Sequence, residues 1–196
     1  MLISTKVNSI PMYTENKLLD LDATTKASVL LEALPYIQRF KDFIFVIKYG
    51  GAFMDSSDLS KRKKIASDIA FLHAVGIKVV IVHGGGKAIT NTLKEKAIKT
   101  EFKNGLRVSS RPIIKVVDQT LNHKINPDIC QDIIDQGAHA TPIDGRDILL
   151  CKQKLFTDEN EPDKTYDLGY VGEVVSVKTK IIKKALSSGS TVSYTH

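Results

Sequence analysis

An open α/β fold, with a mainly parallel sheet sandwiched by helices, is what this sequence predicts. Phe45-Val46-Ile47-Lys48-Tyr49 and Val79-Val80-Ile81-Val82 are short apolar β-runs, the second almost wholly β-branched, as strands buried on both faces of a parallel sheet should be. Each ends in glycine, Gly50-Gly51 after the first and Gly84-Gly85-Gly86 after the second, where open α/β sheets bind their ligands. Helical segments follow both runs, and the resulting βαβα order calls for right-handed crossovers.

Taken in order, Ala27, Leu30, Leu31, Leu34 and Ile37 recur at helical spacing, which predicts an amphipathic helix from Thr24 to Phe40. Thr24 or Thr25 can cap it, and Pro35 inside it predicts a bend. A strand from Phe43 to Lys48 follows, then a helix from Leu59 to Val75 stopped by Gly76. Lys78 to Val82 is the second strand, and a helix runs from near Lys87 to about Ala97. Asn104-Gly105 inside Phe102–Val108 signals a tight hairpin. Two separate helices are expected at about Arg111–Asn122 and Asn126–Gln136, with Pro127 in the first turn of the second. Ala140–Ile143 reads as a short strand. Ile148–Phe156 and Tyr170–Val177 read as strands divided by a polar loop, and Lys178–Leu186 as a last helix ending at Ser188-Gly189.

With 196 residues, 42% hydrophobic and 26% charged, the chain fits one compact domain of ordinary soluble composition. No apolar run approaches the ~20 residues of a membrane span, so no membrane role is expected. Residues 1–23 form an extension without a secretory core, and it is expected to be flexible. Cys130 and Cys151 lack metal-type spacing and suit a reducing, cytoplasmic setting as buried or half-buried thiols. The net charge of +6 comes from basic residues spread along the chain, and the one dense run, Lys61-Arg62-Lys63-Lys64, reads as a solvated helix face. No nucleic-acid partner is expected.

The chemistry points to phosphoryl transfer. Walker A spacing would require glycine where Ile81 stands, and a dinucleotide fingerprint would require glycine or alanine at Ile89, so neither motif is present. What remains is a glycine triplet feeding a helix N-terminus, whose free N–H groups and dipole favour an anion. Lys48 ends the first strand beside both glycine clusters, where an ammonium can neutralise charge developing on a transferred phosphoryl group. Arg107, just past the Asn104-Gly105 turn, is placed to clamp a carboxylate. His83 and His123 have no nucleophile or carboxylate at useful spacing and read as structural.

The segments Lys26–Phe40, Val46–Gly51, Ile81–Gly86, Phe102–Val108 and Asp167–Val174 together resemble the N-acetyl-L-glutamate kinase family of the amino-acid kinase superfamily, over about Thr24 to Gly189. The resemblance implies the amino-acid kinase fold, here its N-terminal lobe with a bent N-terminal helix. It implies ATP with Mg²⁺ held by the nucleotide, and phosphorylation of the side-chain carboxylate of N-acetyl-L-glutamate in arginine biosynthesis. Lys48 would then be catalytic. Gly50, Gly51 and Gly84 would hold phosphate, and Gly85, Gly86 and Arg107 would hold substrate. The resemblance also implies a homo-oligomer, a dimer or a hexamer interlaced by helix 24–40, and leaves open arginine or PII-type regulation of the parent enzyme. Two alternatives stand beside it: another amino-acid or carbamate kinase of the superfamily, and a non-catalytic oligomerisation or regulatory module.

Residues 41–191 would be an incomplete substrate-binding lobe, because the family continues after Gly189 with an apolar strand, an Asn-x-Asp segment, a second lysine and a nucleotide lobe. Val192-Ser193-Tyr194-Thr195-His196 is what a transposon end common in sequencing libraries encodes in one frame. These five residues are therefore expected to be non-native, the chain to be an inactive gene fragment, and its sheet to carry an uncovered edge that lowers solubility.

Overall fold

The structure is a computed structural model that describes residues 22–50, 59–158 and 161–195. Asp22 accepts the Thr25 N–H at 2.9 Å and so caps helix α1 (Ala23–Phe40), which carries Pro35 inside it and buries none of its residues. Strand β1 (Ile44–Tyr49) leads through residues outside the described set to α2 (Leu59–Ala74). Gly76, at φ +88°, closes that helix in the left-handed conformation natural to glycine and starts β2 (Lys78–His83).

Helix α3 (Gly86–Glu95) and the two-residue strands β3 (Phe102–Lys103) and β4 (Leu106–Arg107) come next. Asn104 and Gly105 both have positive φ, as the hairpin signal requires. The two helices expected between Arg111 and Gln136 are a single helical run. α4 (Arg111–Thr120) passes through a π-turn (Leu121–Ile125) into α5 (Asn126–Ile134). Pro127 explains the difference: it has no N–H to offer and its ring crowds the preceding turn, and a widened turn absorbs both without breaking the rod.

Strand β5 (Ala140–Ile143) is followed by the short helix α6 (Gly145–Ile148). Strands β6 (Leu149–Asp158) and β7 (Glu161–Val177) form a separate antiparallel ribbon, so most of the expected polar loop is strand. The polar residues there pair across the ribbon, as Asp167 does with Leu155 and Thr157 with Thr165, and their polar groups need no burial. Helix α7 (Thr179–Ser187) leads to β8 (Thr191–Thr195), a strand absent from the sequence-based expectations.

The main sheet has the order β1-β2-β8-β5, and every pair is parallel. Helices α2 and α5 cover one face over Tyr49, Ile69, Val79, Ile81, Ile129 and Ile133. Helices α6 and α7 cover part of the other, over Val80, Ile143, Ile148, Leu186 and Val192. A third cluster joins α3 to α4 through Ile89, Leu93, Ile113, Val116 and Leu121.

Two side chains depart from expectation. Arg62 belongs to the run read as solvated, yet its Nε and Nη2 donate to the Asp132 carboxylate at 3.0 and 2.6 Å and tie α2 to α5. Burial opposes its charge, and the hydrogen bond and charge of Asp132 outweigh that and raise its pKa. Cys151 is exposed rather than half-buried, whereas Cys130 is buried and its thiol is pushed up to about 12 by loss of solvent.

Candidate functional site

The glycine clusters meet where the register predicts. β1 and β2 pair from Ile44↔Lys78 to Tyr49↔His83, so Gly50 and Gly84 leave the sheet side by side at its C-terminal edge. Gly85 caps α3 and Gly86 opens it, so the first-turn N–H groups of that helix face the same edge. A Cβ added at Gly50 or Gly86 would meet no described residue within 4 Å, so no packing contact among the described residues accounts for glycine there. Gly51, the remaining member of the first cluster, lies outside the described residues.

Lys48 pairs with Val82 and alternates with the buried Tyr49. It therefore lies on the opposite sheet face from Tyr49, exposed, two residues before Gly50. Tyr49 turns into the core beside Arg62 and Asp132, and burial raises its pKa. The strand end is thus anchored through one residue while its neighbour is left accessible.

Arg107 comes from β4 and reaches back to the start of α3. Its Nη1 donates to Thr100 Oγ1 at 2.7 Å and its Nη2 to Thr90 Oγ1 at 2.8 Å, while Nη2 also lies 3.4 Å from the Gly86 carbonyl oxygen. The guanidinium stacks 4.5 Å from the centre of the Phe102 ring. Burial lowers its pKa, and an arginine stays charged even so. The structure therefore brings Gly50, Gly84, Gly85, Gly86 and Arg107 to one region, with Lys48 at its border.

The hairpin carrying Arg107 is braced by the segment Asp167-Leu168-Gly169-Tyr170. Ser109 N–H donates to the Leu168 carbonyl and Tyr170 N–H to the Ser109 carbonyl, both at 2.8 Å. Gly169 has φ +72°, and a Cβ there would lie 2.4 Å from the Ser109 carbonyl oxygen. This glycine is fixed by close backbone approach, whereas no described residue comes within 4 Å of a Cβ placed at Gly50 or Gly86. Lys103 adds a contact from the hairpin to β7, 3.7 Å from the centre of the Tyr166 ring.

Beside this region an open cleft of about 990 Å³ runs between α4 and the β6–β7 ribbon, lined by Ile114, Val117, Leu121, Leu149 and Tyr170. Arg146 lies on its wall, donating to both Asp144 oxygens and, at 3.3 Å, to Asp118. Its hydrogen bonds hold the Asp144 carboxyl below the usual range. Among the described residues, no cluster of three or more His, Cys, Asp or Glu side chains could hold a metal ion. The donor set here suits anions, through amides and a guanidinium, and does not fit a protein-held Mg²⁺.

Sequence reasoning singled out the glycines, Lys48 and Arg107 as candidates, and the structure shows where all but Gly51 lie. It missed Thr90 and Thr100, which lie 17 and 7 residues from Arg107 and meet it only because the hairpin folds back. It also left the Gly169 brace unexplained.

Comparison with known proteins gives a consistent result. Residues 43–195 match the model of the amino acid kinase family. The chain is 41% identical over 169 residues to the acetylglutamate kinase of Clostridium beijerinckii, covering 86% of this chain and 56% of that protein. It is 42% identical over 163 residues to the acetylglutamate kinase of Campylobacter fetus, covering 83% of this chain and 55% of that one. The chain thus spans about half the length of the curated relatives it matches. Among solved structures, an N-acetylglutamate synthase from Neisseria gonorrhoeae superposes with a TM-score of 0.70 at 18% identity, over 86% of this chain and 37% of the other. The smu.665 protein of Streptococcus mutans superposes with 0.64 at 23% identity, over 78% of this chain and 58% of the other. These two likenesses concern the fold.

Proposed function

This chain belongs to the amino acid kinase family, and on that premise we propose that it carries the acceptor-binding half of an ATP-dependent kinase for the side-chain carboxylate of N-acetyl-L-glutamate. The reading rests chiefly on one observation. Arg107 is held beside the amide-rich start of α3, next to Gly50, in a chain about 40% identical to acetylglutamate kinases. In this reading Arg107 takes one substrate carboxylate, and the N–H groups of Gly85 and Gly86 take the reacting end. Gly50, Gly51 and Gly84 receive phosphate oxygens.

The acceptor carboxylate is ionised at neutral pH and needs no general base. One of its oxygens forms a bond to the γ-phosphorus of ATP as the bond to the bridging oxygen breaks, giving an acyl phosphate and ADP. The difficulty is the approach of two anions. Amide dipoles and the Lys48 ammonium lower that cost by acting where charge accumulates. Mg²⁺ travels on the nucleotide phosphates in this scheme.

The same reading places the protein in the cytoplasm, in arginine biosynthesis, and makes α1 a self-association element. Val29, Leu30, Leu31, Leu34 and Tyr36 stand exposed on a helix of which only the end, at Phe40, packs on its own domain among the described residues, which supports that assignment. The test is an NMR titration of the purified chain with N-acetyl-L-glutamate at millimolar concentration. Saturable shifts are expected at the Gly84–Gly86 amides and are lost in Arg107→Ala; unmoved amides overturn the reading.

A further inference from the structure

Arg107 is more than one cation meeting one anion. Here it is one corner of a closed hydrogen-bond circuit. Thr90 Oγ1 donates to the Gly86 carbonyl oxygen at 2.8 Å and accepts from Arg107 Nη2 at 2.8 Å. Thr100 Oγ1 accepts from Nη1 at 2.7 Å, from the far side of the guanidinium. Phe102 stacks on the plane of the group at 4.5 Å. Two hydroxyls and one ring therefore fix both the position and the tilt of the fork. The partners come from separate elements, Thr90 from α3 and Thr100 from the segment entering the hairpin.

The circuit has a direction. Thr90 has one hydroxyl proton, which it gives to Gly86, leaving its lone pairs for the arginine. The guanidinium is thereby referenced to the first residue of α3, the same turn whose N–H groups point at the sheet edge.

We propose that Thr90 and Thr100 are positioning residues that fix the distance between Arg107 and the amide end of α3, so that the site selects a ligand with two anionic groups over a ligand with one. The proposal rests on the anion-binding reading given above. It adds to that reading a selection rule and the residues that enforce it. A freely moving arginine would accept a single carboxylate as readily as the first of two, because its long side chain could follow the charge.

Two measurements on the whole chain test it. The first needs no substrate: the rate at which phenylglyoxal labels Arg107, read by peptide mass spectrometry. Losing one hydrogen bond to a charged group should speed labelling about tenfold in Thr90→Val and Thr100→Val, while Thr90→Ser and Thr100→Ser restore the parent rate. The second compares N-acetyl-L-glutamate, a dianion, with N-acetyl-L-glutamine, a monoanion, by NMR titration. The parent chain should favour the dianion, and Thr90→Val should lose about tenfold of that preference while Thr90→Ser keeps it. Circular dichroism melting confirms that each variant is folded.

Unchanged labelling in both valine variants overturns the proposal, whatever the titrations give. Faster labelling with an undiminished dianion preference overturns the selection rule. Should the parent chain bind neither compound, the functional reading fails, and the labelling arm still decides whether the threonines hold the arginine.

Discussion

Strands β2 and β8 lie side by side in the sheet, equally buried and chemically opposite. Ile81 and Ser193 are register partners, and both are fully buried. β2 fills its place with Val79, Val80 and Ile81. β8 places Thr191, Ser193 and Thr195 in the same interior, and the hydroxyl oxygens of Thr191 and Thr195 are buried without a hydrogen-bond partner among the described residues. The Ser193 hydroxyl hydrogen-bonds the Cys130 thiol and partly offsets the rise that burial gives the thiol pKa. The pair separates two ideas that are easily merged. Pairing of the backbone puts a strand into a sheet, whereas its side chains decide how much the sheet gains from having it there.

The largest expected effect comes from the apolar partner. Ile81→Ala should cost about 2–5 kcal/mol in urea denaturation, because it opens a cavity between α5 and the sheet. A smaller effect of opposite sign is expected from β8. Thr191→Val removes a buried hydroxyl that has no partner among the described residues, and it should raise stability by about 1–3 kcal/mol in the same assay. Should both strands lose stability on substitution, the contrast between them fails.

The smallest expected effect is a pH dependence at the start of the β8–β5 seam. His73 and His139 stack edge to face there, ring centres 6.4 Å apart, and the His139 carbonyl accepts the Thr191 N–H at 2.8 Å. Burial, with the charge of His139 second, lowers the His73 pKa from its ordinary 6.5. The unfolded chain then takes up the proton first on acidification. Stability is retained above 6.5 and falls as pH drops below it. In thermal melts across that range, His73→Gln should flatten the slope.

Much of this architecture was legible in the sequence for definable reasons. β1 and β2 announce themselves by apolar, β-branched composition, the α2 stop by Gly76, and the hairpin by Asn104-Gly105. Their signals are local, and the fold does not override them. β8 is missed because residues 192–196 are expected to be a non-native tail, although Thr191, Val192, Tyr194 and Thr195 are of strand-favouring type and the strand fills the place between β2 and β5. The π-turn was read as a helix break because Pro127 excludes a regular α-helical turn, and sequence spacing does not distinguish a break from a widened turn. The site shows the same division. Glycines and charged residues next to strands can be read directly, whereas Thr90 and Thr100 acquire a role only from a contact across the hairpin.

The π-turn has a further consequence. Each residue of an α-helix advances the side-chain direction by about 100°, so the widened turn at Leu121–Ile125 works as a phase joint in an otherwise continuous shaft. Upstream of it, Ile113 and Val116 point at α3; downstream, Ile129 and Ile133 point at the sheet. A single rod thereby serves two interiors that lie in different directions, and a one-residue deletion within the joint would turn the second set of side chains away from the sheet they fill.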